Sequence, residues 1–232
     1  MPRKKATDTR EAKTIKREQR QREIRTAKKG AAADAIGTIG KTSEIYILTF
    51  GQFSLIDTLV HLLDRTGPAA VDIATWTAAN AHLEESANLL KSAAITRMRW
   101  VVDTSFLNRQ PAYCRRMREL FGDDCIRTCR THSKFINITN DEWDVTVRTS
   151  MNLNNNPRLE NLEISNDPAL SGFLTEIVDG IFGEHTAGDF QADLPGLDDM
   201  ENVHVPGLLN YPKATAATMQ TKPKRPTMGK PA

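Results

Sequence analysis

The hydrophobic positions of residues 43–121 alternate between two periods along the chain. Short runs of apolar and β-branched residues, typical of buried strands, are each followed by a segment with apolar residues at helical spacing. The predicted strands are 44–50, 70–76 and 99–102, and the predicted helices are 55–64, 81–94 and 112–121. Strands that alternate with helices in this way indicate an α/β sandwich with a largely parallel sheet.

Beyond residue 130 the helices give way to strands. Segments 131–138 and 144–148 are predicted strands, and the polar turn 139–143 between them indicates a hairpin. A further strand is predicted at 161–164, and a last amphipathic helix at 170–182. The pattern therefore predicts one folded domain, which we place at residues 43–185.

The two ends of the chain differ from this domain in charge. Residues 1–29 hold 12 Lys and Arg against 4 Asp and Glu, a net charge of +8. Residues 213–232 hold 5 Lys and Arg and no acidic residue, whereas the part between the ends has a net charge of −11. The overall charge of +2 therefore hides an acidic body with two basic ends, and basic ends favour a polyanionic partner such as nucleic acid.

The two ends also lack the periodicity of the body. Residues 1–42 are predicted to form a basic helical arm with a hinge rich in Ala and Gly, since the arm has helix-forming residues but no apolar stripe. The arm is either a solvated helix or a phosphate-binding element. Its candidate contacts are Lys13, Lys16, Arg17 and Arg20. Residues 186–232 are predicted to be a disordered tail.

Several classes of protein are excluded by the composition. No stretch approaches the roughly 20 apolar residues that a membrane span needs. The basic N-terminus is not followed by the apolar run of a secretory signal. Cys114, Cys125 and Cys129 lack the spacing of a zinc site, so we expect reduced thiols in a cytoplasmic protein with neither a membrane nor a metal.

The chemistry is expected in the strands after residue 130. His132 and Lys134 are two residues apart on a predicted strand, so both side chains leave the same face. An imidazole can attack phosphorus or donate a proton, and an ammonium neutralises phosphate charge. Ser150 and Asn152 follow the next strand and can complete an anion site, while the carboxylate of Glu160 can orient the imidazole.

The ordered combination of these residues resembles the phospholipase D superfamily, with its signature of H-x-K followed by Asp, Gly-Ser and Asn. The local run is THSKFINITNDEWDVTVRTSMNLNNNPRLENLEI, and the similarity is to small members with a single motif, which are nuclease-like phosphodiesterases. The resemblance covers about residues 43–183. It implies a phospholipase D-like α/β/α sandwich with a mixed, largely parallel sheet.

The resemblance also implies a mechanism. Members of the superfamily use two H-x-K motifs, one histidine forming a phosphohistidine and the other protonating the leaving oxygen. This chain has one such motif, so a complete site requires a homodimer with two His132 residues facing each other. Lysine, serine and asparagine then stabilise the charge, and neither a metal nor another cofactor is needed.

The chain departs from the signature at two positions. Thr139 stands where the family has its aspartate, although Asp141 lies in the same turn, and Thr149 stands where it has its glycine. Two hypotheses follow: a metal-independent nuclease, or a DNA-binding protein of the same fold with weakened catalysis. An enzyme is the favoured interpretation.

Residues around the motif are candidates for substrate contact. Arg148, Arg158 and Asn154 border the proposed site and could bind a polyanion, although asparagines in this loop are also ordinary turn formers. Trp76 could flank the cleft or simply pack at its rim. Residues 104–109 follow a predicted strand, where α/β sheets place ligand loops.

Overall fold

The structure is a computed structural model, and it describes residues 21–27, 31–154, 157–185 and 187. The chain divides into two compact units, Met1–Asp198 and Asp199–Ala232, and every described residue belongs to the first. The predicted arm contacts at positions 13–20 and the predicted tail after Ala187 lie outside the described residues.

Fourteen strands and helices make up the described part of the chain. The strands are β1 (Gln21–Ala27), β2 (Ser43–Thr49), β3 (Ala69–Thr75), β4 (Ile95–Asp103), β5 (Ile126–Cys129), β6 (Phe135–Thr139), β7 (Asp144–Thr149) and β8 (Glu160–Asn166). The helices are α1 (Ala32–Ile36), α2 (Leu55–Thr66), α3 (Asn80–Lys91), α4 (Phe106–Arg109), α5 (Pro111–Phe121) and α6 (Pro168–Glu184).

All eight strands form one mixed sheet in the order β1-β2-β8-β7-β6-β3-β4-β5. The pairs β1–β2, β3–β4 and β4–β5 are parallel. The four pairs that involve β6 or β8 are antiparallel. Six of these eight strands therefore run in one direction, and only β6 and β8 run in the other, which confirms the predicted mixed, largely parallel sheet.

Helices cover the two faces of the sheet unequally. Alternate residues of each strand point to opposite faces, so Ile73 and Trp100 join the large core, while the next residues, Ala74 and Val101, join a smaller cluster. The large core packs under α1, α2, α3 and α5, and the smaller cluster packs under α6 through Val178. The result is the α/β/α sandwich that the sequence predicts.

Helix α6 is held to its face by polar contacts as well as by apolar ones. Asp72 is 3% exposed and accepts two hydrogen bonds of 2.7 Å from the Arg99 guanidinium, which also contacts Asp179 of α6. Asn137 of β6 donates to the hydroxyl of Thr175 over 3.0 Å. A buried ion pair of this kind stabilises the helix–sheet contact only while both partners are present.

The strands and helices that the sequence predicts between residues 43 and 121 are all present, with small differences at their ends, whereas the short helix α4 and the strand β5 were not predicted. The predicted helix of the arm is wrong over residues 21–27, which form the edge strand β1. Pairing with β2 satisfies backbone groups along the whole segment, from Gln21–Ser43 to Ala27–Thr49, and outweighs its helix-forming composition. The domain boundaries predicted at residues 42 and 186 stay predictions.

Arg25 shows how the segment between β1 and β2 is attached. Its guanidinium donates to the backbone oxygens of Ala35 and Ile36, at the C-terminal end of α1. A cation at this end of a helix satisfies carbonyl groups that have no partner within the helix. Residues 31–40, predicted as a hinge, therefore contain a short helix that packs on the core through Ile36.

Within the described residues, no helix has both the length and the apolar composition needed to cross a membrane.

Candidate active site

The directions of the strands bring the candidate residues to one edge of the sheet. Strands β3, β4 and β7 end at this edge, whereas β6 and β8 run the opposite way and begin there. Residues just before β6, just after β7 and at the start of β8 are therefore neighbours. These three places hold His132 and Lys134, Ser150 and Asn152, and Glu160.

His132 and Lys134 lie in an extended segment that precedes β6, and not in the strand itself, which begins at Phe135. The prediction that the motif lies within a strand is therefore wrong by a few residues. The two side chains nevertheless meet, because the Lys134 ammonium lies 3.4 Å from each ring nitrogen of His132 and donates to its backbone oxygen over 3.0 Å. Thr149 extends the β6–β7 ladder by donating its N–H to the oxygen of Lys134 over 3.2 Å.

Lys134 and His132 differ in exposure. His132 is exposed, whereas Lys134 is only 9% exposed. Burial lowers the pKa of the Lys134 ammonium, and the Glu160 carboxylate nearby partly opposes that shift. An exposed imidazole beside a buried cation is suited to receive an anion from solvent.

Ser150 and Glu160 form the second part of the site. The Ser150 hydroxyl donates to the Glu160 carboxylate and accepts the N–H of Asn161 over 3.0 Å. The Thr149 hydroxyl donates to the oxygen of Asn161 over 2.7 Å, so its side chain joins the end of β7 to the start of β8. Glu160 is thus bound to Ser150 in this structure, whereas the sequence suggested an orienting bond to His132.

The loop after β7 is attached to the end of β3. Leu153 donates its N–H to the oxygen of Thr77 over 3.2 Å, and its own oxygen accepts the N–H of Ala79 over 2.8 Å. These bonds fix the backbone next to Asn152. The Oδ1 atom of Asn152 is buried and has no hydrogen-bond partner among the described residues. This oxygen can only accept a hydrogen bond, so an anion at this place would be bound through the Nδ2–H₂ group of the same amide.

One residue that the sequence marked only weakly, Trp76, contacts the motif, and a second, Arg109, contacts Trp76. The imidazole of His132 meets the indole of Trp76 edge-on, with centroids 5.7 Å apart and planes at 61°. The guanidinium of Arg109 lies over the same indole, 3.5 Å from its centroid. Arg109 also donates to the oxygen of Trp76 and to the hydroxyl of Ser105, each over 2.9 Å.

Asp103, at the end of β4, is a third contributor and was not recognised in the sequence. Its carboxylate accepts the N–H of Thr131 over 3.0 Å and the N–H of Ser105 over 2.9 Å. The Asp103 carboxylate therefore fixes two segments: the one that carries His132, and the turn before α4, the short helix that ends at Arg109. The signal in the sequence was the polar loop after a buried strand, which is where ligand sites of α/β proteins are found.

The structure does not bring every candidate to this site. Arg148 lies within β7 on the opposite face of the sheet from Lys134 and forms an ion pair with Glu163 of β8. Arg158 is exposed in the loop before β8. Asn154 is partly buried in the loop after β7, next to Leu153.

The two residues that depart from the family signature lie far from each other. Thr139 and the exposed Asp141 are at the other end of β6, in the turn opposite the candidate site, whereas Thr149 is at the site.

Among the described residues, no three His, Cys, Asp or Glu side chains form a group that could hold a metal ion. Cys114, Cys125 and Cys129 are free thiols.

No protein-family model matches the chain, and no curated protein matches its sequence at a significant level. Among solved structures, it is similar to a phospholipase D family member, Nuc, from Salmonella typhimurium. The identity is 17% and the TM-score 0.42, over 56% of this chain and 88% of that one. It is also similar to polyphosphate kinase from Porphyromonas gingivalis, with 16% identity and a TM-score of 0.42, over 59% of this chain and 26% of the kinase. Such similarities concern the fold, and one fold serves many activities.

Proposed function

We propose that this protein is a metal-independent phosphodiesterase of the phospholipase D type that acts on nucleic acid. One observation supports the proposal above the others: His132 and Lys134 lie in contact at the same sheet edge as Ser150, Asn152 and Glu160. Five residues that a phosphoryl-transfer site needs are thus supplied by three neighbouring strand ends. The proposal does not depend on the two structural similarities, which are too distant to assign an activity.

Each residue has a role that follows from its chemistry. A ring nitrogen of His132 attacks phosphorus, so that a P–N bond forms as the P–O bond to the leaving group breaks. The Lys134 ammonium and the Nδ2–H₂ group of Asn152 stabilise the negative charge on the non-bridging oxygens by donating hydrogen bonds. Glu160 keeps the Ser150 hydroxyl in place and supports the positive charge of Lys134.

The leaving oxygen needs a proton, and the proposed donor is His132 of a second copy of the chain. In the second step the same imidazole removes a proton from water, whose oxygen displaces His132 from phosphorus and yields a phosphate monoester. A homodimer is required because H-x-K occurs once in the sequence. Exposed apolar side chains next to Glu160, Phe50 at 48% and Leu159 at 61%, favour a contact between copies at this edge.

Nucleic acid is the proposed substrate because cations outnumber carboxylates at this edge. Arg109, Arg130 and Lys134 lie here beside the two carboxylates of Asp103 and Glu160. The net charge of +8 in residues 1–29 adds a further attraction to a polyanion.

The proposal is tested by cleavage of single-stranded and double-stranded DNA and RNA, and by trapping the phosphoenzyme. Wild type should form an acid-labile phosphohistidine, and His132→Ala should form none and lose at least about 10³-fold in rate. Ser133→Ala is the matched control, because Ser133 lies between the two motif residues and is exposed. A phosphohistidine that persists in His132→Ala would contradict the assignment.

The dimeric site is tested by mixing subunits. Equal amounts of wild type and His132→Ala, refolded together, should retain about a quarter of the wild-type activity if both histidines serve one site, and about half if each chain acts alone.

A second candidate function is DNA binding by the same fold without efficient catalysis. It is favoured by Thr149, whose side chain is bonded to Asn161 at the position where the family has glycine. If wild type cleaves none of the nucleic acids, and deletion of residues 1–20 abolishes retention of DNA, this second function replaces the first.

A further inference from the structure

The Arg109–Trp76 pair has a geometry that the proposed phosphoryl transfer does not use. The central carbon of the Arg109 guanidinium lies over the indole of Trp76, 3.5 Å from the ring centroid. Its Nε donates to Ser105 and its Nη2 donates to the oxygen of Trp76, each over 2.9 Å. An exposed arginine is normally free to rotate, but here a ring and two hydrogen bonds fix the plane of its guanidinium.

Asp103 stabilises the position of the Arg109 guanidinium through Ser105. It accepts the N–H and the hydroxyl of Ser105, which in turn accepts the Nε–H of Arg109. The same carboxylate holds Thr131, the residue before His132. The fixed guanidinium and the imidazole of the motif are therefore attached to one side chain.

A fixed, exposed guanidinium plane is a stacking surface for a planar ring. Unpaired bases stack on arginine planes and on aromatic side chains, and loss of one base–aromatic contact weakens binding about tenfold or more. Arg109 is exposed, and Trp76 beneath it is in edge contact with His132. A base on this surface would belong to the nucleotide next to the phosphate that His132 attacks.

We propose that the Arg109–Trp76 pair binds an unpaired nucleobase beside the reacting phosphate. The inference rests on the proposed function, since it assumes a phosphate at His132. It adds that the substrate is a strand with accessible bases, because a base within a duplex is already stacked on its neighbours. A phosphodiester without bases would leave the pair unused.

The test compares two single strands with the same number of phosphates, one of thymidines and one of abasic residues. Binding is measured by fluorescence anisotropy, over a time in which a gel shows that the strands remain intact. Wild type should bind the thymidine strand about tenfold more tightly than the abasic strand.

Arg109→Lys keeps the charge and removes the plane. It should weaken binding of the thymidine strand about tenfold and leave binding of the abasic strand unchanged, which also shows that the variant is folded. Arg65→Lys, exposed at the C-terminal end of α2, is the matched control and should change neither affinity. Equal affinity of wild type for the two strands, or equal weakening of both by Arg109→Lys, would overturn the inference.

The result of the binding test does not depend on whether the protein cleaves either strand. If wild type cleaves the abasic strand and binds both strands equally, the base site is wrong and the phosphodiesterase stands. If it prefers the thymidine strand but cleaves neither strand, the base site stands and the phosphodiesterase fails.

Discussion

Replacing Lys134 by methionine should make the protein more stable and less active. The ammonium of Lys134 is in a side chain that is only 9% exposed, and burial is the largest cause of its lowered pKa. Glu160 compensates only in part. The charge is therefore unfavourable for folding at neutral pH, and it is retained at a position where a phosphate would neutralise it.

The magnitude follows from what the substitution removes and keeps. Methionine preserves most of the buried aliphatic volume and removes a charge that burial makes unfavourable. The lost hydrogen bond to the oxygen of His132 costs little, because His132 is exposed and water can replace the donor. We expect the free energy of unfolding to rise by about 1 kcal/mol, and the melting temperature by about 2–4 °C.

The effect of Lys134 on stability also depends on pH. The pKa of Lys134 in the folded chain is below its ordinary value of 10.5, so between these two values the unfolded chain binds more protons. The stability contributed by Lys134 therefore rises with pH through that window. The advantage of Lys134→Met should be largest near neutral pH and should shrink as the pH approaches 10.5.

The assay combines urea unfolding at several pH values with cleavage of the best nucleic acid substrate. Lys134→Met should lose about 10²–10³-fold in cleavage rate, the usual cost of removing one charge-stabilising donor. Lys91→Met, exposed in the last turn of α3, is the control and should change neither property. If Lys134→Met is less stable than wild type by more than about 1 kcal/mol at neutral pH, the ammonium is a structural group and the argument fails.

Three further predictions concern other parts of the structure. Asp72→Asn should lower the free energy of unfolding by about 3 kcal/mol in urea titrations, because it removes the buried negative charge that pairs with Arg99, whose side chain is only 12% exposed, whereas exposed Asp64→Asn should have little effect. Asp103→Ala should reduce cleavage at least about tenfold, since it releases the backbone before His132, and the same loss in Asp64→Asn would show that the effect is not local. EDTA should leave the cleavage rate unchanged; loss of activity that magnesium restores would contradict a metal-independent mechanism.

The sequence predicted the body of the fold because its periodicity is local. Helix α2 repeats apolar residues at helical spacing between a capping serine, Ser54, and Gly67, and strand β3 is a continuous buried run. Such signals depend on neighbours a few residues away. Strand β1 has no such signal, since among the described strands it pairs with β2 alone, and Ile24 in it is 84% exposed.

The candidate site was predicted only in part, because some of its residues are close together in the sequence and others are not. His132, Lys134, Ser150 and Glu160 are identifiable because their order and spacing along 29 residues resemble a known signature. The contacts of Trp76 with His132 and of Arg109 with Trp76 join residues more than 30 positions apart and follow no pattern. Contacts of this kind depend on how three strand ends meet, which periodicity does not specify.

The direction of the strands explains why one short stretch of sequence can encode a phosphate site. In a parallel sheet, consecutive strands reach the same edge only after a crossover of a dozen or more residues. Here β6, β7 and β8 are consecutive and antiparallel, so the start of β6, the end of β7 and the start of β8 lie side by side. The polar residues placed there need no crossover to converge. Two further residues come from the parallel strands: Trp76 follows β3, and Asp103 ends β4. Trp76 contacts His132, and Asp103 accepts the N–H of Thr131, so together they position the segment before β6 that carries His132.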